Sequence, residues 1–288
     1  MGVLEVTERI KVKVALQNQK RARSTRKPET TYVFNIPYRG NAKLEQIMDL
    51  VKRDVRLQTL WRCSNVMAID RLGYTDHGPT HVKIVANLAL KLLRILVNKQ
   101  VVPSIVKNYS MKNEDAEIVV VLGSIFHDLG MVVSRDQHEI YGALLALGFI
   151  ERFLQPLYSE EERAVMTSEV LHAITCHEEP RRPLTIEAGI VRIADALDME
   201  QGRARIPFQA GRVDIHSVSA LSIEKVDIQE GEKTPVTVRI TMSNSAGIFQ
   251  IDELLKPRIQ NSGLQDYIHV VAEITWEKER RILDKFEI

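Results

Sequence analysis

Residues 118–130, IVVVLGSIFHDLG, decide how this chain reads. Asn113, followed by Glu114 and Asp115, opens a helix with acids in its first turn. The apolar run Ile118 to Phe126 continues it and stops at His127 and Asp128, before Leu129 and Gly130, the mark of a helix terminus. An imidazole and a carboxylate side by side at such a terminus can aim at one ion, because the backbone turns between them.

The pattern stays helical on both sides of this stretch. Upstream, Val85, Leu88, Ala89, Leu92, Ile95 and Leu96 recur at helical spacing, with Ile84, Leu90 and Leu93 widening the apolar face, so a helix over 80–99 is expected to be central. Asn41 can cap a helix that runs, with a break, to about Arg71. Downstream, Ser159 and Glu162 have the capping-box form and open a helix reaching His177. Pro180 and Pro183 enforce a break, and Thr185 can cap a helix through Asp195.

Beyond Gly202 the character changes. Residues 213–228 and 234–243 read as strands joined by the turn at Glu230, Gly231 and Glu232. Residues 246–262 read as a helix that Pro257 must kink or end, and 267–276 return to strand. Before residue 41, residues 8–16 and Thr31 to Ile36 alternate as strands do, flanking a basic stretch over 20–27. The expected fold is mainly α, with a helical bundle over 41–205. A smaller α+β domain of ββαβ order with an antiparallel sheet follows over 206–288, and short strands with a basic loop precede it over 1–40.

Composition narrows the function classes. Lys plus Arg is 39 against 38 Asp plus Glu, so no global field draws nucleic acid or an anionic membrane. Only the 20–27 stretch keeps nucleic acid open as a partner. Cys63 and Cys176 form neither a CxxC metal pair nor a disulfide framework, which suits a reducing interior. The first residues, MGVLEVTERI, lack the continuous apolar run of a signal peptide, and no segment is long enough to span a membrane. A cytoplasmic location is the expectation.

Six residues carry the chemistry: His81, His127, Asp128, His138, His177 and Asp195. All are metal-ligand types placed at helix ends. Imidazole nitrogen with carboxylate oxygen suits first-row divalent ions, and thiolate is absent from the set. A lone buried histidine is more often a hydrogen-bonded core residue, so the weight falls on the ordered set. His172, five residues before His177, lies about 140° around the helix and is read as structural. His77 suits a structural loop role as well as a substrate contact. Arg192, three residues before Asp195, could compete for it as an ion pair.

The same segments resemble the HD superfamily of metal-dependent phosphohydrolases. Asp76-His77-Gly78-Pro79-Thr80-His81-Val82 is similar to the family's first histidine region, and Ile125-Phe126-His127-Asp128-Leu129-Gly130 to its signature dyad. His138-Glu139-Ile140-Tyr141-Gly142-Ala143 and Ala173-Ile174-Thr175-Cys176-His177 resemble the next two, and Ile193-Ala194-Asp195-Ala196-Leu197-Asp198 the closing aspartate helix. The matches keep the family's order from about residue 74 to 200.

The resemblance implies a divalent ion on His81, His127, Asp128 and Asp195, and a second on Asp128, His138 and His177. Mn, Fe, Co, Ni, Zn and Mg all fit. It also implies hydrolysis of a phosphoester or phosphoanhydride in a small molecule, a nucleotide foremost, by a metal-activated hydroxide, with His127 and Asp128 at the catalytic centre. Met131 stands where many relatives carry Lys, so Lys83, Arg135, Arg181, Arg182, Arg203 and Arg205 are the substitute candidates for phosphate. An HD-fold di-iron oxygenase, a non-catalytic nucleotide-binding regulator and a single-strand nuclease are the competing classes. The C-terminal part is expected to serve dimerisation or regulation, in a homo-oligomer.

Overall fold

The first helix begins where Asn41 predicts it. The Asn41 side chain accepts the Leu44 N–H at 2.9 Å, and α1 (Ala42–Arg53) follows. The expected break falls at Asp54, whose carboxylate accepts the Leu57 N–H and so caps α2 (Val55–Asn65). That helix loosens into a wide π-helical turn over Val66–Arg71. The computed structural model describes residues 34–38, 40–202 and 215–275. The expected strand at 8–16, the basic stretch 20–27, Arg203 and Arg205 lie outside these residues.

Phe34 to Ile36, the described end of the second expected strand, form no strand. Their alternation instead marks which side chains are buried. Phe34 and Ile36 point inward, and Phe34 stacks on Trp61 with ring centroids 4.9 Å apart.

α3 (Pro79–Asn98) is central, as its apolar face requires. It packs on α5 (Asn113–Phe126) and α8 (Ile186–Leu197), with the short α4 (Ser104–Tyr109) lying against α5. Every residue from Ile118 to Phe126 is buried, which is the environment an all-round apolar helix demands. α6 (His138–Leu154) and α7 (Glu160–Thr175) pack on each other, and α7 closes over α5. Ser159 with Glu162 and Thr185 cap α7 and α8.

A 3₁₀ turn, Leu129–Val132, joins the end of α5 to the loop before α6. Gly130 is pressed against the first turn of α6. A Cβ there would sit 1.9 Å from the His138 carbonyl oxygen and 2.4 Å from the Gly142 nitrogen. This close approach places the start of α6 beside the His127-Asp128 turn.

In the C-terminal part, residues 215–220, expected as strand, form a short helix α9 (Ile215–Ala220). The buried Ser219 hydroxyl donates back to the Ile215 carbonyl and accepts from Gln250, so tertiary packing overrides the alternation. β1 (Ile223–Glu230) and β2 (Val236–Met242) pair antiparallel, with Ile228 opposite Val238. β3 (Ile268–Ile274) pairs parallel to β2, with Val238 opposite Val270, so the sheet is mixed where a purely antiparallel one is expected. The reason lies in the connection. The chain between β2 and β3 makes a π-helical turn, Gln250–Leu255, and then α10 (Lys256–Gln260), a crossover long enough to bring β3 back in the direction of β2. Pro257 lies in the first turn of α10, where its missing N–H is harmless.

Val236, Val238, Ile240 and Met242 on the central strand are buried. Lys91 of α3 and Lys99, which caps its C-terminal end, reach Asp227 and Glu230 of β1 at 3.2 Å each. The described residues cluster as one compact unit. Among the described residues no helix is long and apolar enough to cross a membrane.

Candidate metal centre

Four imidazoles and two carboxylates converge from five segments. His81 lies in the first turn of α3, held there by its loop. The Asp76 carboxylate accepts the Gly78 N–H at 2.8 Å, while Asn65 takes the His77 N–H at 3.0 Å and donates to Asp76 at 3.1 Å. His127 and Asp128 follow α5, His138 opens α6, His177 follows α7 and Asp195 lies in the last turn of α8. The four imidazoles and Asp128 are all but fully buried, and Asp195 is the most exposed of the set.

Each ring is oriented from behind. His127 Nδ1 donates to the Ser124 carbonyl at 2.7 Å and His177 Nδ1 to the Ile174 carbonyl at 2.7 Å, while His138 Nδ1 lies between the Arg135 carbonyl at 3.0 Å and the Arg135 guanidinium at 2.8 Å. Ser124 and Ile174 lie three residues earlier, in the last turns of α5 and α7 where carbonyls lack helical partners, and Arg135 lies in the loop before α6. His81 Nδ1 turns to the Asp198 carboxylate at 2.6 Å. With the protons on Nδ1, all four Nε2 lone pairs point inward.

There the lone pairs face one another. His81 Nε2 is 3.1 Å from His127 Nε2, and His138 Nε2 is 3.0 Å from His177 Nε2. Two lone pairs at that distance repel, so each pair needs a proton or a cation between its members. Asp128 divides itself between them. Its Oδ2 lies 3.3 Å from His81 and 3.2 Å from His127, and its Oδ1 lies 3.3 Å from His138 and 3.8 Å from His177. Asp195 Oδ1 joins the first pair, 3.2 Å from His81 and 3.6 Å from His127. Glu178 joins the second, its carboxylate lying with His138 and His177 at metal-ligand spacing.

The electrostatics reflect this crowding. Burial opposes a charge on His127, yet Asp128 and Asp195 outweigh it and push its pKa up to about 9. Burial likewise opposes ionised Asp128 and Asp195, but the neighbouring imidazoles hold both carboxyls well below their usual range. His177 falls well below the imidazole range, first through burial and then through His127 and His138. The cluster therefore demands positive charge at its centre. The donors fit a divalent cation, which supplies that charge without protonating the lone pairs.

The neighbours sort into distinct roles. Arg192 turns away from Asp195 and donates to the Arg181 carbonyl at 2.7 Å and to Glu179 at 3.1 Å, so the intrahelical competitor does not form. His172 is structural as expected, its Nε2 accepting the Leu184 N–H at 3.0 Å. Burial pushes the Cys176 thiol pKa up, away from thiolate. His77 is half-buried on the loop, its ring centroid 5.8 Å from that of His81.

Among the phosphate candidates, Arg135 places its guanidinium at the site, 2.8 Å from His138 Nδ1 and 4.0 Å from Glu178. Arg181 is exposed and pairs with Glu139 at 2.8 Å. Lys83 is half-buried on α3 and Arg182 is exposed in the loop before α8.

Three residues at the cluster escape the sequence reading. Asp198 and Glu178 were each visible as carboxylates beside predicted ligands, and His177-Glu178 repeats the imidazole–carboxylate adjacency of His127-Asp128. Arg258, from α10, had no local signal. Its guanidinium donates to the His177 carbonyl and to Glu178, the latter at 3.0 Å, and lies 3.9 Å from Asp195 Oδ2.

Comparison with known proteins agrees with this architecture. The HD domain family model matches residues 79–200, a span that contains all six converging residues. The uncharacterized protein MJ1020 of Methanocaldococcus jannaschii is 46% identical over 244 residues, which cover 85% of this chain and 93% of that protein. The ordered His and Asp segments, the helical bundle that brings them together and the family match lead to one assignment: the chain belongs to the HD-domain superfamily of metal-dependent phosphohydrolases.

Proposed function

We propose that the cluster holds two divalent cations sharing Asp128, and that the protein hydrolyses a phosphoester or phosphoanhydride bond in a small phosphorylated molecule, a nucleotide foremost. The observation that carries this reading is the divided Asp128 carboxylate, with one oxygen toward each histidine pair. His81, His127 and Asp195 would complete one site, and His138, His177 and Glu178 the other. When bound, such ions supply Lewis acidity toward a water molecule and toward phosphate oxygens.

The chain's own part is positional. The Ser124, Arg135 and Ile174 carbonyls and Asp198 lock the four rings, so no reorganisation is needed as charge develops. Burial keeps bulk water from the ligand atoms and strengthens each charge interaction there. The mixed imidazole and carboxylate donors suit Mn, Fe, Co, Ni, Zn or Mg.

The test is phosphate release from a nucleotide panel in the presence of Mn²⁺, Co²⁺, Ni²⁺ or Mg²⁺. Metal-dependent release that a chelator stops, and that falls to background in Asp128→Ala, supports the reading. Oxygen uptake with substrate oxidation and no phosphate release would replace it with di-iron oxygenase chemistry.

A further inference from the structure

We propose that Arg258, delivered from the C-terminal part, is the side chain that binds the substrate's phosphate beside the two cations. The proposal rests on the phosphohydrolase reading above and adds a residue that the helical bundle does not contain.

The placement of the guanidinium carries the argument. Its Nη1 lies 3.9 Å from Asp195 of the first half of the cluster, and its Nη2 lies 3.0 Å from Glu178 of the second. It also donates to the backbone carbonyl of His177. Arg258 therefore spans both halves along one edge, as a phosphoryl group shared by two cations would. A planar fork of donors suits phosphate oxygens in that position.

Charge gives a second reason. Asp128, Asp195, Glu178 and Asp198 bring four negative charges to the cluster. Two divalent cations offset these and leave nothing over for an incoming phosphate dianion, so further positive charge is required. Arg135 offers some, but its side chain is 38% exposed against 20% for Arg258, and water screens it more.

The support beneath Arg258 is firm. Leu255 and Ile259 on either side of it are buried, α10 packs on α8, and Asn261 donates to Glu179 at 3.2 Å. A side chain on so fixed a helix can hold one geometry while a fifth of its surface stays open to a ligand.

The test uses full-length protein loaded with Mn²⁺. Metal content is measured by elemental analysis, inorganic phosphate affinity by calorimetry, and kcat and KM on whichever nucleotide is hydrolysed. Removing a charge-assisted contact predicts phosphate binding weaker by about 10–100-fold in Arg258→Ala, with KM rising in parallel and metal content unchanged. Arg258→Lys should retain part of the affinity, and added guanidinium should restore part of it to the Ala variant. Circular dichroism of both variants checks the fold. Unchanged phosphate affinity in a metal-replete Arg258→Ala protein overturns the proposal while leaving the phosphohydrolase reading intact. So does a loss of affinity that excess Mn²⁺ restores in full, because Arg258 would then only brace Glu178 and His177. Wild-type protein that takes up no divalent metal overturns both.

Discussion

Asp128 makes the strongest claim at the scale of single residues, because its two oxygens face two separate histidine pairs. If each pair holds its own cation, His138→Ala and His177→Ala should each lower bound metal from about two ions per chain to about one. Elemental analysis after purification in excess Mn²⁺ checks this. A wild-type value of one, unchanged in both variants, would leave only the site built on His81, His127 and Asp195. Asp198 makes a subtler claim, since it is assigned to no proposed cation and fixes the His81 ring at 2.6 Å. Removing such a partner typically weakens metal binding by about 10–100-fold. Asp198→Ala should therefore keep metal at saturation but bind Mn²⁺ correspondingly more weakly in a titration. The convergence of His81, His127, Asp128, His138, His177 and Asp195 was legible in the sequence because each sits at a helix end in an ordered set. Asp198 was not, because nothing in a sequence says which of two nearby aspartates on one helix end ligates and which orients. Arg258 was hidden for a different reason, as only the route of the chain through the sheet brings it back to residues 177 and 178.

Helices supply the site with their ends rather than their faces. The bundle's caps were readable in advance, since Asn41, Ser159 and Thr185 act through local hydrogen bonds that the sequence encodes directly. The α9 turn and the parallel β3 were not, because long-range packing and the length of the crossover decide them. The loop from α7 to α8 shows how an element is held by a residue outside the chemistry. His172 Nε2 accepts the Leu184 N–H, and burial depresses the pKa of its ring below the usual imidazole value. An unfolded chain protonates this histidine near pH 6.5, before the folded protein does, so its contribution to stability is lost progressively as pH falls below about 6.5. His172→Ala should cost about 1 kcal/mol at neutral pH, the value of one ordinary hydrogen bond. It should also flatten the acid side of the stability profile. Denaturant unfolding of both proteins between pH 7.5 and about 5 measures the two effects together. Equal pH dependence in the two proteins would remove His172 from the account.

For the molecule as a whole, the histidines and carboxylates of the cluster come from positions scattered between His81 and Asp198, with Arg258 arriving later still. No short stretch of the unfolded chain offers the same ligands at the same spacing. Cations held by the cluster would therefore bind the native state almost alone and stabilise it by mass action, by about 2.7 kcal/mol when free metal stands at 100 times its dissociation constant. Melting temperature should climb with the logarithm of free Mn²⁺ and drop on adding a chelator, while Asp128→Ala protein should melt at one temperature in both conditions. A carboxylate dividing itself between two ions would make the lifetime of this protein answer to metal supply. A cell short of divalent ions would hold the same polypeptide closer to unfolding and to degradation, so its abundance would track the ions it is built around.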